Sequence, residues 1–131
     1  MGRTSVADVM TRRVVYLPDD TPIDEAAQAM RDQGIGDVVV THGPTISGLL
    51  TDRDIVVRAI AGKLPPETTT IGTIATHEVI MIEQSATVEE AVQAMRARGV
   101  RRLLVADPDR KVVGIISLSD IALIPTSTPA V

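Results

Sequence analysis

Gly48-Leu49-Leu50-Thr51-Asp52-Arg53-Asp54 decides the fold. The stretch reads as the end of a buried strand that runs straight into a helix. Its twin is Gly114-Ile115-Ile116-Ser117-Leu118-Ser119-Asp120. In each, a glycine and two apolar residues lead to a hydroxyl, and an Asp follows three positions later. A hydroxyl and a free backbone N–H at a helix start can hold a phosphate. A carboxylate on the first turn can accept hydrogen bonds from the two hydroxyls of a ribose. The same spacing also belongs to a helix N-cap with an acid at the third helical position. On these residues alone both readings stand.

Working outward, the motif closes a repeated unit. At an offset of 65, residues 9–40 align on 74–105 without a gap, and 10 of the 32 pairs are identical. Glu25-Ala26-Ala27-Gln28-Ala29-Met30-Arg31 and Glu90-Ala91-Val92-Gln93-Ala94-Met95-Arg96 differ at one position in seven. An insertion in the second turn moves the offset to 66, and Gly48, Asp54 and Ile55 then meet Gly114, Asp120 and Ile121. The fold class is α/β (α+β): two tandem β-α-β-β-α repeats with small mixed sheets and helices on one side. Each repeat is too short to bury much core alone, so the two are expected to pack together about a pseudo-twofold axis. The expected division is 5–62 for the first repeat, 63–70 for a linker, 71–125 for the second repeat and 126–131 for a loose tail. Pro65 and Pro66 mark the boundary because neither can continue a helix.

Within the first repeat, a short capped helix is expected at 5–10 and a short strand at 14–17. Thr21 at the N-cap, Pro22 at the first helical position and Asp24 at the third predict a helix start. Ile23, Ala26, Ala27 and Met30 give it one apolar face, and Gly34 ends it. Strands follow at 38–40 and 46–50, then a helix over 52–61. The second repeat restarts with a short helix at 71–75, a strand at 79–82, a helix capped by Thr87 and Glu90 and ended by Gly99, strands at 103–105 and 112–116, and a last short helix.

Composition excludes several functions. The 131 residues carry a net charge of −4 and contain one Tyr, no Phe and no Trp. That opposes nucleic-acid binding through phosphate contacts or base stacking. No cysteine is present, which removes disulfides and thiolate metal sites and is compatible with a cytoplasmic location. No apolar run is long enough to span a bilayer, and no apolar segment of a secretory signal follows Met1–Ser5. His42 and His77 lack partners at metal-ligand spacing and are expected at the surface. Asp52 and Asp54 have no third acidic neighbour with which to hold a divalent cation. No Gly-rich phosphate loop, nucleophile elbow or Ser-His-Asp arrangement is present. An enzyme is not expected, and no cofactor is required.

The repeat, the order of its elements and Gly-h-h-[Thr/Ser]-x-x-Asp together resemble a tandem pair of cystathionine-β-synthase-type (CBS) domains, a Bateman module. Val9-Met10-Thr11 and Gly99-Val100-Arg101-Arg102-Leu103-Leu104-Val105 support the resemblance, which runs from about Ser5 to Ile124. It implies a regulatory module that binds an adenosine-containing ligand (AMP, ADP, ATP, NAD or S-adenosylmethionine) in clefts between the repeats. By motif match Thr51 and Ser117 would contact phosphate or a ribose oxygen. Asp54 and Asp120 would take the ribose diol. Val15 and Ile80, on the first strands, would flank the adenine. Arg101 and Arg102 would sit near phosphate, and Arg53 would add a second charge. The resemblance also implies a homodimer and a protein partner that receives the signal. Gly36-Asp37 stands in the first repeat where Arg101-Arg102 stands in the second, so unequal binding is expected. The alternative is a constitutive dimeric interaction protein with no nucleotide ligand.

Overall fold

A computed structural model describes residues 4–122. It contains two three-stranded sheets, ordered β1-β2-β3 and β4-β5-β6. The first is built from β1 (Tyr16–Pro18), β2 (Asp37–His42) and β3 (Thr45–Thr51). The second is built from β4 (Met81–Glu83), β5 (Arg102–Ala106) and β6 (Val112–Ser117). In both, the first strand pairs parallel with the middle one and the third pairs antiparallel. The helices are α1 (Val6–Val9), α2 (Ile23–Gln33), α3 (Asp52–Asp54), α4 (Ile71–Ile74), α5 (Val88–Arg98) and α6 (Leu118–Ala122). The mixed α/β class and the repeated element order expected from sequence are both present.

The chain forms two compact units, one of residues 15–79 and one of 4–14 with 80–122 among the described residues. They do not coincide with the sequence repeats, because each repeat's opening helix packs on the other repeat's sheet. In the 15–79 unit, α4 docks on the start of α2: Ile71 N–H donates to Thr21 O at 2.8 Å and Gly72 N–H to Asp19 O at 2.9 Å. In the other unit, α1 docks on the start of α5: Val6 N–H donates to Ala86 O at 2.8 Å and Ala7 N–H to Gln84 O at 3.1 Å.

The same exchange explains the motif glycines. Leu49 and Thr76 trade two backbone hydrogen bonds, at 2.9 and 3.0 Å, and Thr11 and Ile115 trade two at 2.8 and 2.9 Å. The incoming strand end lies so close that a Cβ on Gly48 would stand 2.8 Å from Thr76 O, and one on Gly114 would stand 2.8 Å from Thr11 O. Only glycine admits a backbone that near. His77 adds a side-chain tie, with Nδ1 2.9 Å from Ser47 O and Nε2 3.0 Å from Gly72 O.

Each unit has its own apolar core. Ile23, Ala26 and Met30 of α2 meet Val38, Val40, Leu50, Ala59, Ile71 and Ile74 in one. Val6, Met10, Ala91, Met95, Leu103, Val105 and Ile116 fill the other. Gly34 and Gly99 end α2 and α5 in the left-handed conformation at φ 66°, as their positions predict.

Three sequence expectations are corrected. First, the N-cap of α2 is Pro22, not Thr21, and it makes no side-chain cap bond. Thr21 is already committed, its N–H to Pro18 O and its carbonyl to Ile71 N–H. Second, β1 and β4 begin two residues later than expected. Val15 and Ile80 reach the sheet by one carbonyl each, accepting from Val39 N–H at 2.8 Å and Leu104 N–H at 2.9 Å. Third, the helix expected over 52–61 is α-helical only for α3 and then opens into a π-helix, Ile55–Ile60. The wider turn keeps Ala59 in the core while Val56, Val57 and Ile60 face outward. The stretch expected as a linker also makes contacts: Leu64 packs on the first core. The carbonyls of Pro66 and Thr69 accept from Asp24 and Ile23 N–H, which serves the α2 donors that Pro22 leaves uncapped. The expected loose tail lies outside the described residues.

Substituting Gly48→Ala or Gly114→Ala forces a methyl against a backbone carbonyl. Each is expected to cost about 1–3 kcal/mol, the range for overpacking a close-packed interior. Urea unfolding should show lower midpoints with an unchanged slope.

Candidate functional site

The two strand-to-helix turns have the same hydrogen bonding. In the first, Asp54 N–H donates to Thr51 Oγ1 at 3.1 Å and Thr51 N–H donates to Asp54 Oδ2 at 3.0 Å. In the second, Asp120 N–H donates to Ser117 Oγ at 3.1 Å and Ser117 N–H donates to Asp120 Oδ2 at 3.0 Å. Both are reciprocal capping boxes. Hydroxyl-to-acid spacing of this kind was legible in the sequence, and the cap reading holds for both copies.

The boxes limit what else each turn can do. The expectation of free N–H groups at the helix start fails for the first copy. Asp52 N–H donates to Gly36 O at 2.9 Å, Arg53 N–H to Asp52 Oδ1 at 2.8 Å, and Asp54 N–H to Thr51. Any anion there would have to be held by side chains. Two capacities survive in each copy. The Thr51 and Ser117 oxygens accept from backbone, which leaves each O–H hydrogen to donate. One oxygen of each carboxylate is held by backbone, which leaves Oδ1 of Asp54 and of Asp120 to accept from a hydroxyl. A donor and a carboxylate acceptor side by side match a ribose or sugar-phosphate edge.

Charge distinguishes the two turns. Asp37 lies directly opposite Thr51 in the antiparallel ladder, and Arg102 lies directly opposite Ser117. Directly paired residues on one face have neighbouring Cβ atoms, so the hydroxyl has an anion beside it in one unit and a cation in the other. Arg101, one residue earlier, is exposed, and its carbonyl accepts from Leu118 N–H at 2.9 Å. Its counterpart Gly36 has no side chain, and a Cβ there would come within 3.1 Å of Asp52 Oδ2. Arg53 is exposed beside the first turn.

The other expected contacts are more distant. Val15 precedes β1 and Thr51 ends β3, with β2 between them. Ile80 and Ser117 stand in the same relation across β5. Adjacent strands are about 4.8 Å apart, so neither apolar residue touches the hydroxyl of its own unit. Both pack instead against their own cores.

Sequence reading missed Arg58. Its Nε lies 3.9 Å from Asp54 Oδ1 and it donates to Ile74 O at 2.9 Å. The i, i+4 spacing from Asp54 was the available signal. Among the described residues no group of three His, Cys, Asp or Glu is placed to hold a metal ion, and no helix is long and apolar enough to cross a membrane.

Known proteins are similar to this chain. The CBS domain family matches residues 6–60 and 71–125. Hypoxic response protein 1 of Mycobacterium tuberculosis is 32% identical over 120 residues, covering 91% of this chain and 83% of that one. A crystal structure of Hypoxic Response Protein I with two coordinated zinc ions superposes with a TM-score of 0.70, covering 91% of this chain and 97% of that one. Protein MK0525 of Methanopyrus kandleri is 34% identical over 123 residues; they are 92% of this chain but 62% of that relative, so the chain spans less than two thirds of its length. The CBS domain protein PAE2072 of Pyrobaculum aerophilum, complexed with AMP, shares the fold at 24% identity and a TM-score of 0.77, covering 92% of each chain. With both repeats matched and the same capped turn built twice, the chain belongs to the CBS domain family.

Proposed function

We propose that the protein is a non-catalytic regulatory module that binds an adenosine-containing ligand of the AMP, ADP, ATP, NAD or S-adenosylmethionine class. The observation that carries this reading is the duplicated turn. Each copy keeps a hydroxyl donor and a carboxylate oxygen unspent after capping its helix. The AMP bound by PAE2072 supports the ligand class. Thr51 and Ser117 donate to a phosphate or ribose oxygen, Asp54 and Asp120 accept from the ribose hydroxyls, and Val15 and Ile80 offer apolar surface to the base. Arg101 and Arg102 favour an anionic ligand at the second turn, with Arg53 the weaker counterpart at the first. Asp37 opposes one there.

A second reading, a constitutive homodimer without nucleotide, draws on the π-helix. Val56, Val57 and Ile60 are 59%, 51% and 63% exposed, and such a cluster favours burial against a second copy. The two readings are compatible, since a dimer can carry a ligand signal to a protein partner.

Thermal melts with AMP, ATP, NAD and S-adenosylmethionine test the first reading. A ligand at about 100 times its Kd stabilises by about 2.7 kcal/mol and raises Tm by several degrees. No shift with any of the four at millimolar concentration would defeat it. Asp120→Asn keeps an oxygen for the Ser117 N–H but weakens the ribose acceptor, so titration calorimetry should show affinity falling roughly tenfold or more. Exchanging the charges in Arg102→Asp and Asp37→Arg should reverse the preference of the two turns for anionic ligands, with the effect shrinking as salt rises. Val57→Asp should turn a dimer into a monomer in sedimentation velocity while leaving ligand affinity in place.

A further inference from the structure

Asp54 is the one buried charged residue among the described residues, at 9% exposure. Oδ2 is held by the Thr51 N–H. Oδ1, the oxygen left for a ligand hydroxyl, faces Arg58 Nε at 3.9 Å. The same guanidinium donates at 2.9 Å to Ile74 O. Ile74 is the last residue of α4, where carbonyls lack partners within their own helix. Arginine suits this position because its planar fork can serve two acceptors at once. Beyond Ile74 the chain bonds Leu49 through Thr76 and leaves this unit at Val79. In sequence, the position 66 residues on from Arg58 is Ile124.

We propose that Arg58 is a linking residue that transmits the state of the Asp54 carboxylate to the C-terminal end of α4. The carboxylate anchors the guanidinium, and the anchored guanidinium holds Ile74 O. A hydroxyl that takes Oδ1 weakens the anchor, the arginine regains side-chain freedom, and α4 is held less firmly. Among the described residues only the first turn carries this device. The ligand part of the proposal rests on the reading of Asp54 as a ligand carboxylate. The link itself exists without ligand and is tested without it.

Amide hydrogen exchange at Ala75 and Thr76, whose N–H groups bond Ile71 O and Leu49 O, reads the hold on α4. Arg58→Gln removes the link at a half-exposed position and should speed exchange about tenfold, the scale of a charge-assisted hydrogen bond. Asp54→Asn keeps an oxygen for Thr51 N–H and loses only the anchor. It should speed exchange roughly two- to threefold, the scale of a solvent-screened i, i+4 pair. In the double variant Asp54→Asn should add nothing to Arg58→Gln, because the two act through one bond. Should Asp54→Asn fail to fold, Asp54→Glu, which keeps the charge but displaces it, takes its place in the cycle. Equal effects of the Asp54 change in both backgrounds, or no effect in either, overturn the proposal. Saturating AMP should speed exchange at the same amides in the wild type and not in Arg58→Gln. Binding of AMP with the same change in both overturns transmission through Arg58. Failure of AMP, ATP, NAD and S-adenosylmethionine alike to bind the wild type defeats the ligand reading, and the ligand-free cycle still decides the link.

Discussion

The backbone exchange between Leu49 and Thr76, matched by that between Thr11 and Ile115, is the constraint on which the rest of the structure depends. A three-stranded sheet with one long helix leaves much of its apolar face uncovered. Each unit completes itself with the opening helix of the other repeat. Ile71 and Ile74 enter one core and Val6 and Met10 the other. The arrangement requires the crossing chain to pass close to β3 or β6, and therefore a residue without a Cβ at Gly48 and Gly114. The glycine of Gly-h-h-[Thr/Ser]-x-x-Asp is thus a packing residue. It stands three positions before the hydroxyl because the crossing occurs just before the strand turns into a helix.

The rest of the motif serves the helix first. Thr51 with Asp54, and Ser117 with Asp120, cap their helices through both partners' side chains. A capping box is worth about 1 kcal/mol or somewhat more, and it fixes the rotamers of both side chains. The result is a hydroxyl hydrogen and a carboxylate oxygen held in place before any ligand arrives. Preorganisation of this kind lowers the ordering cost of binding. The proposed ligand contacts therefore draw on the same arrangement as the cap, and evidence for the cap is not evidence against them.

The repeat, the helix faces and the motif were legible because each follows a local rule. Ile23, Ala26 and Met30 follow helical spacing, Val38-Val39-Val40 reads as a central strand buried on both faces, and Gly34 and Gly99 follow the left-handed helix end. What escaped depends on contacts distant in sequence. Thr21 looked like an N-cap because nothing local shows that its carbonyl is committed to Ile71. The stretch from Leu64 to Thr70 looked like a linker because its prolines exclude a helix. They do not exclude carbonyls that serve the start of α2. At the site, the residue types were legible and their availability was not: the amide of Asp52 is occupied by the carbonyl of Gly36, a partner that no spacing rule names.

Duplication made the two turns alike, and their surroundings set them apart. The first has Asp37 across the ladder from the hydroxyl and Arg58 against the carboxylate. The second has Arg102 across from the hydroxyl and, in sequence, isoleucine where Arg58 would stand. The cation is next to the acceptor in one copy and next to the donor in the other. A cation by the donor adds attraction for a ligand's phosphate. A cation by the acceptor competes with the ligand's hydroxyl for the same oxygen, so binding there must displace an existing interaction. Displacement is what allows a binding event to change the protein, because a ligand shifts an equilibrium only through interactions that differ between its states. Under the proposed ligand reading, the second turn is suited to affinity and the first to response.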